Sequence, residues 1–144
     1  MYKQILVPTD GSEISARAVQ TAAGVARLCN AKLEVLSVRE PFPYSAISEI
    51  QPVPPQEFYD AQERLATSRV EAAIDAARTE GIKAEGATIE ALHPWEAVLE
   101  QAKAKGCDLI VMASHGRRGL GALLLGSETQ KVLTHSTLPV LVIR

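Results

Sequence analysis

The residues best suited to chemistry lie in one stretch near the carboxyl end, MASHGRRGLGALLLGSET, residues 112–129. Its glycines, among them Gly116, allow positive φ angles and let a ligand approach the backbone closely. Successive N–H groups in such a loop can bind an anion, and Arg117 and Arg118 can neutralise phosphate charge. The stretch therefore predicts a phosphate-binding loop, and the alternative is a turn with solvated arginines.

A helix is predicted to begin directly after this loop. Ser127 and Gln130 have the spacing of a capping box, in which a serine side chain starts the helix. The unpaired N–H groups and the positive end of the helix dipole favour anions there. Gly126, Ser127 and Thr129 would present backbone donors and hydroxyl groups to a phosphate. No lysine precedes Ser127, so the loop is not a P-loop of the GxxxxGK[ST] type.

Further polar groups stand at the predicted strand ends and in the loop itself. Asp10, in PTDGS after the first apolar run, could accept hydrogen bonds from ribose hydroxyls or could order its own turn. Val38 ends the second predicted strand and could offer its backbone to the edge of a base. His115 could hydrogen-bond a phosphate, or it could pack or be solvated. These residues extend the predicted phosphate site toward a nucleoside.

Nucleophile and base residues form no recognisable catalytic pattern in this sequence. The three histidines, His93, His115 and His135, and the many carboxylates lack the spacing of metal ligands. We therefore assign no catalytic residue and no metal site on the protein itself.

Composition and charge narrow the range of partners. The formal net charge of -2 argues against non-specific binding to nucleic acid. No apolar run is long enough for a membrane span, and the amino-terminal apolar segment is too short for a signal peptide, so the expected compartment is the cytoplasm. In a reducing compartment Cys29 and Cys107 are expected to be small buried hydrophobic residues, with a redox role as the alternative.

Hydrophobic patterning predicts the elements that must position these residues. Apolar runs predict five strands, and helical spacing of apolar residues predicts four helices between them. The strands are expected at residues 2–8, 32–38, 82–90, 108–113 and 138–143, and the helices at about 12–29, 57–80, 94–106 and from 127 onward. Strict alternation predicts one α/β domain over residues 1–144, with a parallel sheet and helices on both faces.

A long connection separates the second strand from the second helix. Residues 39–56 contain five of the eight prolines, which forbid a regular strand or a helix interior. Loops of this length are uncommon in compact domains and often act as lids or binding loops. We expect a lid or a surface connection here.

The first and fourth strands are the most continuously apolar, so they are expected at the centre of the sheet. Ligands of open parallel sheets bind outside the carboxyl ends of the strands, where strand order reverses. The topology therefore predicts that the loop with Asp10 and the loop with Gly116 lie side by side.

The sequence resembles the universal stress protein family over nearly its whole length. The resemblance rests on ILVPTDGSEIS at the start and on DLIVMASHGRRGLGALLLGSETQKVLTHSTLPVLVIR at the end. The ATP-binding members carry the motif G-2x-G-9x-G-[S/T], which is matched here by Ala113, Gly116, Gly126 and Ser127. Alanine at the first motif position is harmless if the backbone there is extended, and lowers affinity if the position needs a positive φ.

The resemblance implies a Rossmann-like open sheet with strand order 3-2-1-4-5 and a stress-response regulatory protein that binds Mg-ATP or AMP, with at most slow hydrolysis. The alternative is an interaction protein of the same fold that binds no nucleotide. By this resemblance Asp10 would contact the adenosine and the Val38 backbone the adenine, with Mg²⁺ carried in by the triphosphate. The phosphates would be bound by Gly116, Gly126, Ser127 and Thr129, and the adenosine pocket would be lined by Pro8, Thr9 and Met112. The candidate binding residues are Pro8, Thr9, Asp10, Val38, Met112, Ala113, His115, Gly116, Arg117, Arg118, Gly126, Ser127, Glu128 and Thr129.

The fifth strand predicts a homodimer. In the implied strand order it lies at an edge, and an exposed apolar edge invites pairing with another chain. Its residues Val140, Leu141, Val142 and Ile143 are all apolar. Antiparallel pairing with the same strand of a twofold-related copy would extend the sheet; the alternative is that a loop covers this edge.

Overall fold

The computed structural model describes residues 1–41, 56–116 and 124–144. Strands and helices alternate along the chain, as predicted. The strands are β1 (Gln4–Pro8), β2 (Lys32–Arg39), β3 (Ala84–Glu90), β4 (Leu109–Ala113) and β5 (Val140–Ile143). The helices are α1 (Glu13–Cys29), α2 (Gln56–Thr79), α3 (Pro94–Ala104) and α4 (Ser127–His135). Most of the proline-rich connection, and with it the predicted lid, lies outside the described residues, as do Arg117 and Arg118.

The five strands form one parallel sheet in the order β3-β2-β1-β4-β5, which confirms the predicted fold class. In the central strand β1, Ile5 pairs with Leu33 of β2 on one side and with Leu109 of β4 on the other. The strands β1 and β4 are apolar without alternation because helices cover both of their faces. The order in which strands are added reverses between β1 and β4, since β2 and β3 lie to one side of β1 and β4 and β5 to the other.

Two layers of helices enclose the sheet. Helices α1 and α2 pack on one face around Val7 and Val35, and α3 and α4 pack on the other around Leu6 and Ile110. The inner faces of α1 and α2 are mostly alanine, which lets these helices approach the sheet closely. Their buried alanines are Ala18, Ala22, Ala23, Ala26, Ala66, Ala73 and Ala77.

Short polar residues and glycines set the helix ends near the predicted positions. The Ser12 side chain accepts a hydrogen bond of 3.2 Å from the Ser15 N–H and so caps α1. Gly81 follows the end of α2 with a φ of 78°, a left-handed conformation in which a β-carbon would be strained. Because the helices end at these positions, each following strand can begin at the amino-terminal edge of the sheet.

The two edges of the sheet differ in character. The edge strand β3 exposes Glu85 and Glu90, whereas the edge strand β5 exposes Leu141. Gly86 of β3 lies under α2, and a β-carbon there would collide with Val70 and with the Val35 carbonyl. Glycine thus allows α2 to lie directly on the backbone of the edge strand. Within the described ranges, no helix is both long enough and apolar enough to cross a membrane.

Candidate functional site

A cleft of about 610 Å³ lies at the carboxyl ends of β1, β2 and β4. It is walled by α2 on one side of the sheet and by α3 and α4 on the other. Every predicted binding residue that the structure describes lines this one cleft. They are Pro8, Thr9, Asp10, Val38, Met112, Ala113, His115, Gly116, Gly126, Ser127, Glu128 and Thr129.

The loops after β1 and β4 meet at Asp10. Its Oδ1 accepts a hydrogen bond of 2.9 Å from the Ser12 N–H, so the carboxylate does order its own turn. Its Oδ2 lies 2.9 Å from where a β-carbon on Gly116 would stand. The absence of a side chain at Gly116 therefore lets the two loops approach each other closely. Its φ is not positive, so Gly116 does not use the left-handed conformation that glycine allows.

Gly126 joins the glycine-rich loop to α4 in a confined position. Its N–H donates a hydrogen bond of 2.7 Å to the Ser114 carbonyl. A β-carbon here would lie 3.1 Å from the His115 Cα, so a side chain would require His115 to shift slightly. With a φ of -62°, Gly126 is required for space rather than for an unusual backbone conformation.

The predicted capping box at the start of α4 is wrong. Gly126 is the N-cap, and Ser127 is already the first helical residue. The bond from Gly126 to Ser114 places the entry to the helix one residue earlier than the sequence pattern indicates, and the Gly126 carbonyl accepts from the Gln130 N–H at 3.0 Å. The Gln130 side chain donates instead to the Leu125 carbonyl at 3.0 Å. As a result the exposed Ser127 side chain stands free of any capping role at the mouth of the cleft.

The Thr129 hydroxyl has a structural partner. It donates a hydrogen bond of 2.8 Å to the carbonyl of Ala113 and so ties the first turn of α4 to the end of β4. The sequence predicted that the hydroxyl would also donate to a phosphate, but its proton is already used in this bond. Only the backbone N–H of Thr129 is left to donate to an anion. Together with the N–H groups of Ser127 and Glu128, it belongs to the first helical turn, whose donors have no acceptor within the helix.

Ala113, the departure from the glycine motif, has ordinary extended backbone. It is the last residue of β4 and pairs with Ile143 of β5. Asn30 is the one residue besides glycine with a positive φ in the described part of the chain. The methyl group of Ala113 therefore causes no backbone strain at the cleft.

Helices α3 and α4 are linked at the cleft by Glu128. Its Oε2 accepts a hydrogen bond of 2.8 Å from the Trp95 N–H, in the first turn of α3. The N-cap of α3, His93, makes no side-chain capping bond, so Glu128 supplies the cap from another helix. The Trp95 ring in turn stacks on His135 at 4.5 Å between centroids.

His115 has a local partner and no catalytic one. Its Nδ1 lies 3.1 Å from the Ser114 Oγ, and the ring is half-buried at the cleft wall. Among the described residues, no group of three or more His, Cys, Asp or Glu side chains could hold a metal ion.

Sequence reasoning missed the cleft lining outside the two strand-end loops, most of which lies on α2, α3 and the end of β2. Trp95, the single tryptophan, carried a signal of its own, because aromatic side chains commonly line ligand pockets. The other missed lining residues are Ser15, Arg39, Glu40, Gln62, Leu65, Ala66, Arg69, Pro94, Val98 and Val132.

The likeness of this chain to known proteins extends over its whole length. The universal stress protein family matches residues 1–144. The chain belongs to the universal stress protein family. Within the family, it is 37% identical to universal stress protein YxiE of Bacillus subtilis, over 100% of both chains.

Solved structures of family members share the fold. The chain is 29% identical to MJ0577 of Methanocaldococcus jannaschii, with a TM-score of 0.83 over 99% of this chain and 96% of that one. It is 26% identical to a universal stress protein solved in complex with cAMP, with a TM-score of 0.75 over 99% and 97% of the two chains. Both likenesses include the strands and loops that form the cleft.

Proposed function

We propose that this protein is a stress-response regulator that binds an adenine nucleotide, as Mg-ATP or AMP, in the cleft at the ends of β1 and β4. The observation that carries the proposal is the convergence of all the described candidate residues on that cleft, beside the first turn of α4. The relative solved with cAMP supports it, because cAMP combines an adenine, a ribose and a phosphate.

The anionic end of the nucleotide would lie at the first turn of α4. A phosphate can approach the N–H groups of Ser127, Glu128 and Thr129, which belong to the first turn of α4 and line the cleft. The Glu128 carboxylate is held at the first turn of α3, whose dipole stabilises its negative charge. Arg117 and Arg118 remain predicted phosphate partners.

The ribose end would lie at Asp10. A carboxylate repels phosphate and accepts hydrogen bonds from hydroxyl groups, so its charge sets the direction of the ligand along the cleft. Its own turn and the neighbouring Gly116 hold Asp10 in place before a ligand arrives. The base would then reach Val38, at the end of β2.

Magnesium would arrive with the triphosphate, because Mg²⁺ usually keeps several waters and binds through substrate phosphates and one or two carboxylates. The bare N–H donors of the α4 turn fit the phosphates of such a complex. We propose no catalytic residue, since His115 pairs with Ser114 and no base faces the phosphate position among the described residues.

Thermal unfolding tests the proposal. Mg-ATP at about 100 times its dissociation constant should raise the free energy of unfolding by roughly 2.7 kcal/mol, which corresponds to roughly 5–10 °C in Tm for a domain of this size. A protein that shows no shift and carries no nucleotide after gentle purification would support the alternative, an interaction protein of the same fold. Ala113 gives no support to that alternative, because its backbone is extended and unstrained.

A further inference from the structure

Arg39 places a guanidinium at the β2 end of the cleft. It is the last residue of β2, follows Val38, and lines the cleft. Its Nε is buried without a hydrogen-bond partner, and no hydrogen bond or ion pair joins its side chain to any described residue. A guanidinium stays charged and can only donate, so it needs an acceptor. A buried donor without one is destabilising, and this position points to an acceptor on a ligand.

The order of the strands decides which part of a nucleotide reaches Arg39. The ends of β4, β1 and β2 lie side by side, and two strand spacings amount to about 10 Å. With its phosphate at α4 and its ribose at Asp10, a mononucleotide extends its base to β2. This step rests on the proposed function, because it uses the direction of the ligand argued above.

We infer that Arg39 reads the outer edge of the base and extends the ligand class to 6-oxopurine nucleotides, those of guanine and hypoxanthine. Guanine presents two acceptors, O6 and N7, which an arginine binds together, whereas adenine presents N7 beside the N6 donor. A donor-only side chain therefore gains two hydrogen bonds from a 6-oxopurine and faces a second donor on adenine. Gln62 and Arg69 of α2, which line the same cleft, add polar surface there.

Calorimetry with ADP, GDP and IDP tests the inference on the full chain. GDP and IDP should bind the unmodified protein at least as tightly as ADP. Arg39→Ala should weaken GDP and IDP about tenfold or more and leave ADP within about twofold. Arg39→Gln should reverse the preference toward ADP, because a glutamine amide pairs with adenine N6 and N7. Arg17→Gln, a matched change on the exposed face of α1, should alter none of these affinities.

A comparison of ligands on the unmodified protein needs no folded variant. The diphosphate of 2-aminopurine riboside lacks O6 and should bind about tenfold or more weakly than GDP. Equal affinity for these two, or equal losses of ADP and GDP in Arg39→Ala, would overturn the inference and leave adenine binding in place. If the unmodified protein binds ADP, GDP and IDP not at all, the proposed function fails instead.

Discussion

Individual residues at the cleft make two kinds of contact, and the distinction decides how each can be tested. Gly116 and Gly126 provide space, so any side chain there moves Asp10 or His115 and disturbs the loop. Ser127 is exposed and has no capping role, so its side chain can be changed without breaking a contact among the described residues. The charge at the phosphate position is therefore best altered at Ser127.

Ser127→Asp separates ligand binding from folding. A carboxylate at the first helical residue should repel a nucleotide phosphate and lower Mg-ATP affinity by about tenfold or more, an electrostatic cost of about 1.4 kcal/mol. The same charge interacts favourably with the helix dipole and should leave stability unchanged or raise it by about 0.3–1 kcal/mol. Calorimetry and urea unfolding measure the two effects. Ser127→Asn, of similar shape and uncharged, should keep affinity within a few-fold; equal affinities for all three proteins would contradict phosphate binding at this turn.

Cys107 is a buried thiol with a pH-dependent effect on stability. The pKa of its thiol is raised from 9.0 to about 11, chiefly by burial and then by the nearby carboxylates of Glu34 and Asp108, while Lys105 acts in the opposite direction. Because the folded pKa exceeds the unfolded one, the thiol contributes stability below pH 9 that is lost as the pH rises toward 11. Cys107→Ala should therefore show a smaller loss of unfolding free energy between pH 8 and 10.5 than the unmodified protein. Identical pH dependence of the two proteins would show that the thiol titrates normally.

At the scale of elements, the contact between α3 and α4 shapes one wall of the cleft. Glu128 of α4 caps α3 at Trp95, and Trp95 stacks on His135 at the far end of α4. The carboxylate thus fixes the helix ends and holds the indole at the cleft wall. A movement of either helix end would therefore change the surroundings of the Trp95 indole.

Glu128→Ala should lower the free energy of unfolding by about 1 kcal/mol, the usual effect of losing a helix cap. It should also shift the fluorescence of Trp95, the only tryptophan in the chain. Glu128→Gln keeps an acceptor oxygen, so both its loss of stability and its fluorescence shift should be smaller. Glu100→Ala, on the exposed side of α3, is the matched control. If Glu128→Ala changed neither stability nor emission while the control behaved alike, the cap would have no energetic role.

For the whole molecule, the open question is the partner of β5. The strand lies at the sheet edge and leaves Leu141 38% exposed. We propose that a second copy of the chain pairs with this edge antiparallel, which would cover Leu141. Val140 packs against the core under α3 and α4, so the exposed leucine is the better position for a test.

Leu141→Lys should convert a dimer to a monomer, because the twofold axis would bring two like charges together at the edge. Light scattering at tens of micromolar should report twice the chain mass for the unmodified protein and the single mass for the variant. Leu28→Lys, at an 85% exposed position on α1, should leave the dimer intact. A monomeric unmodified protein would contradict edge pairing.

By itself, the sequence determined the alternation of strands and helices, the parallel sheet and the two strand-end loops that meet at the cleft. These follow from periodic burial, which each segment carries within its own residues. The tertiary structure alone decided the partners of the side chains. Glu128 accepts a hydrogen bond from the N–H of Trp95, 33 residues before it, and the Thr129 hydroxyl bonds a carbonyl 16 residues away. Arg39 reaches the cleft because β2 lies beside β1. Local sequence patterns do not predict such contacts. The contacts depend on which distant groups the packed layers bring within hydrogen-bond distance.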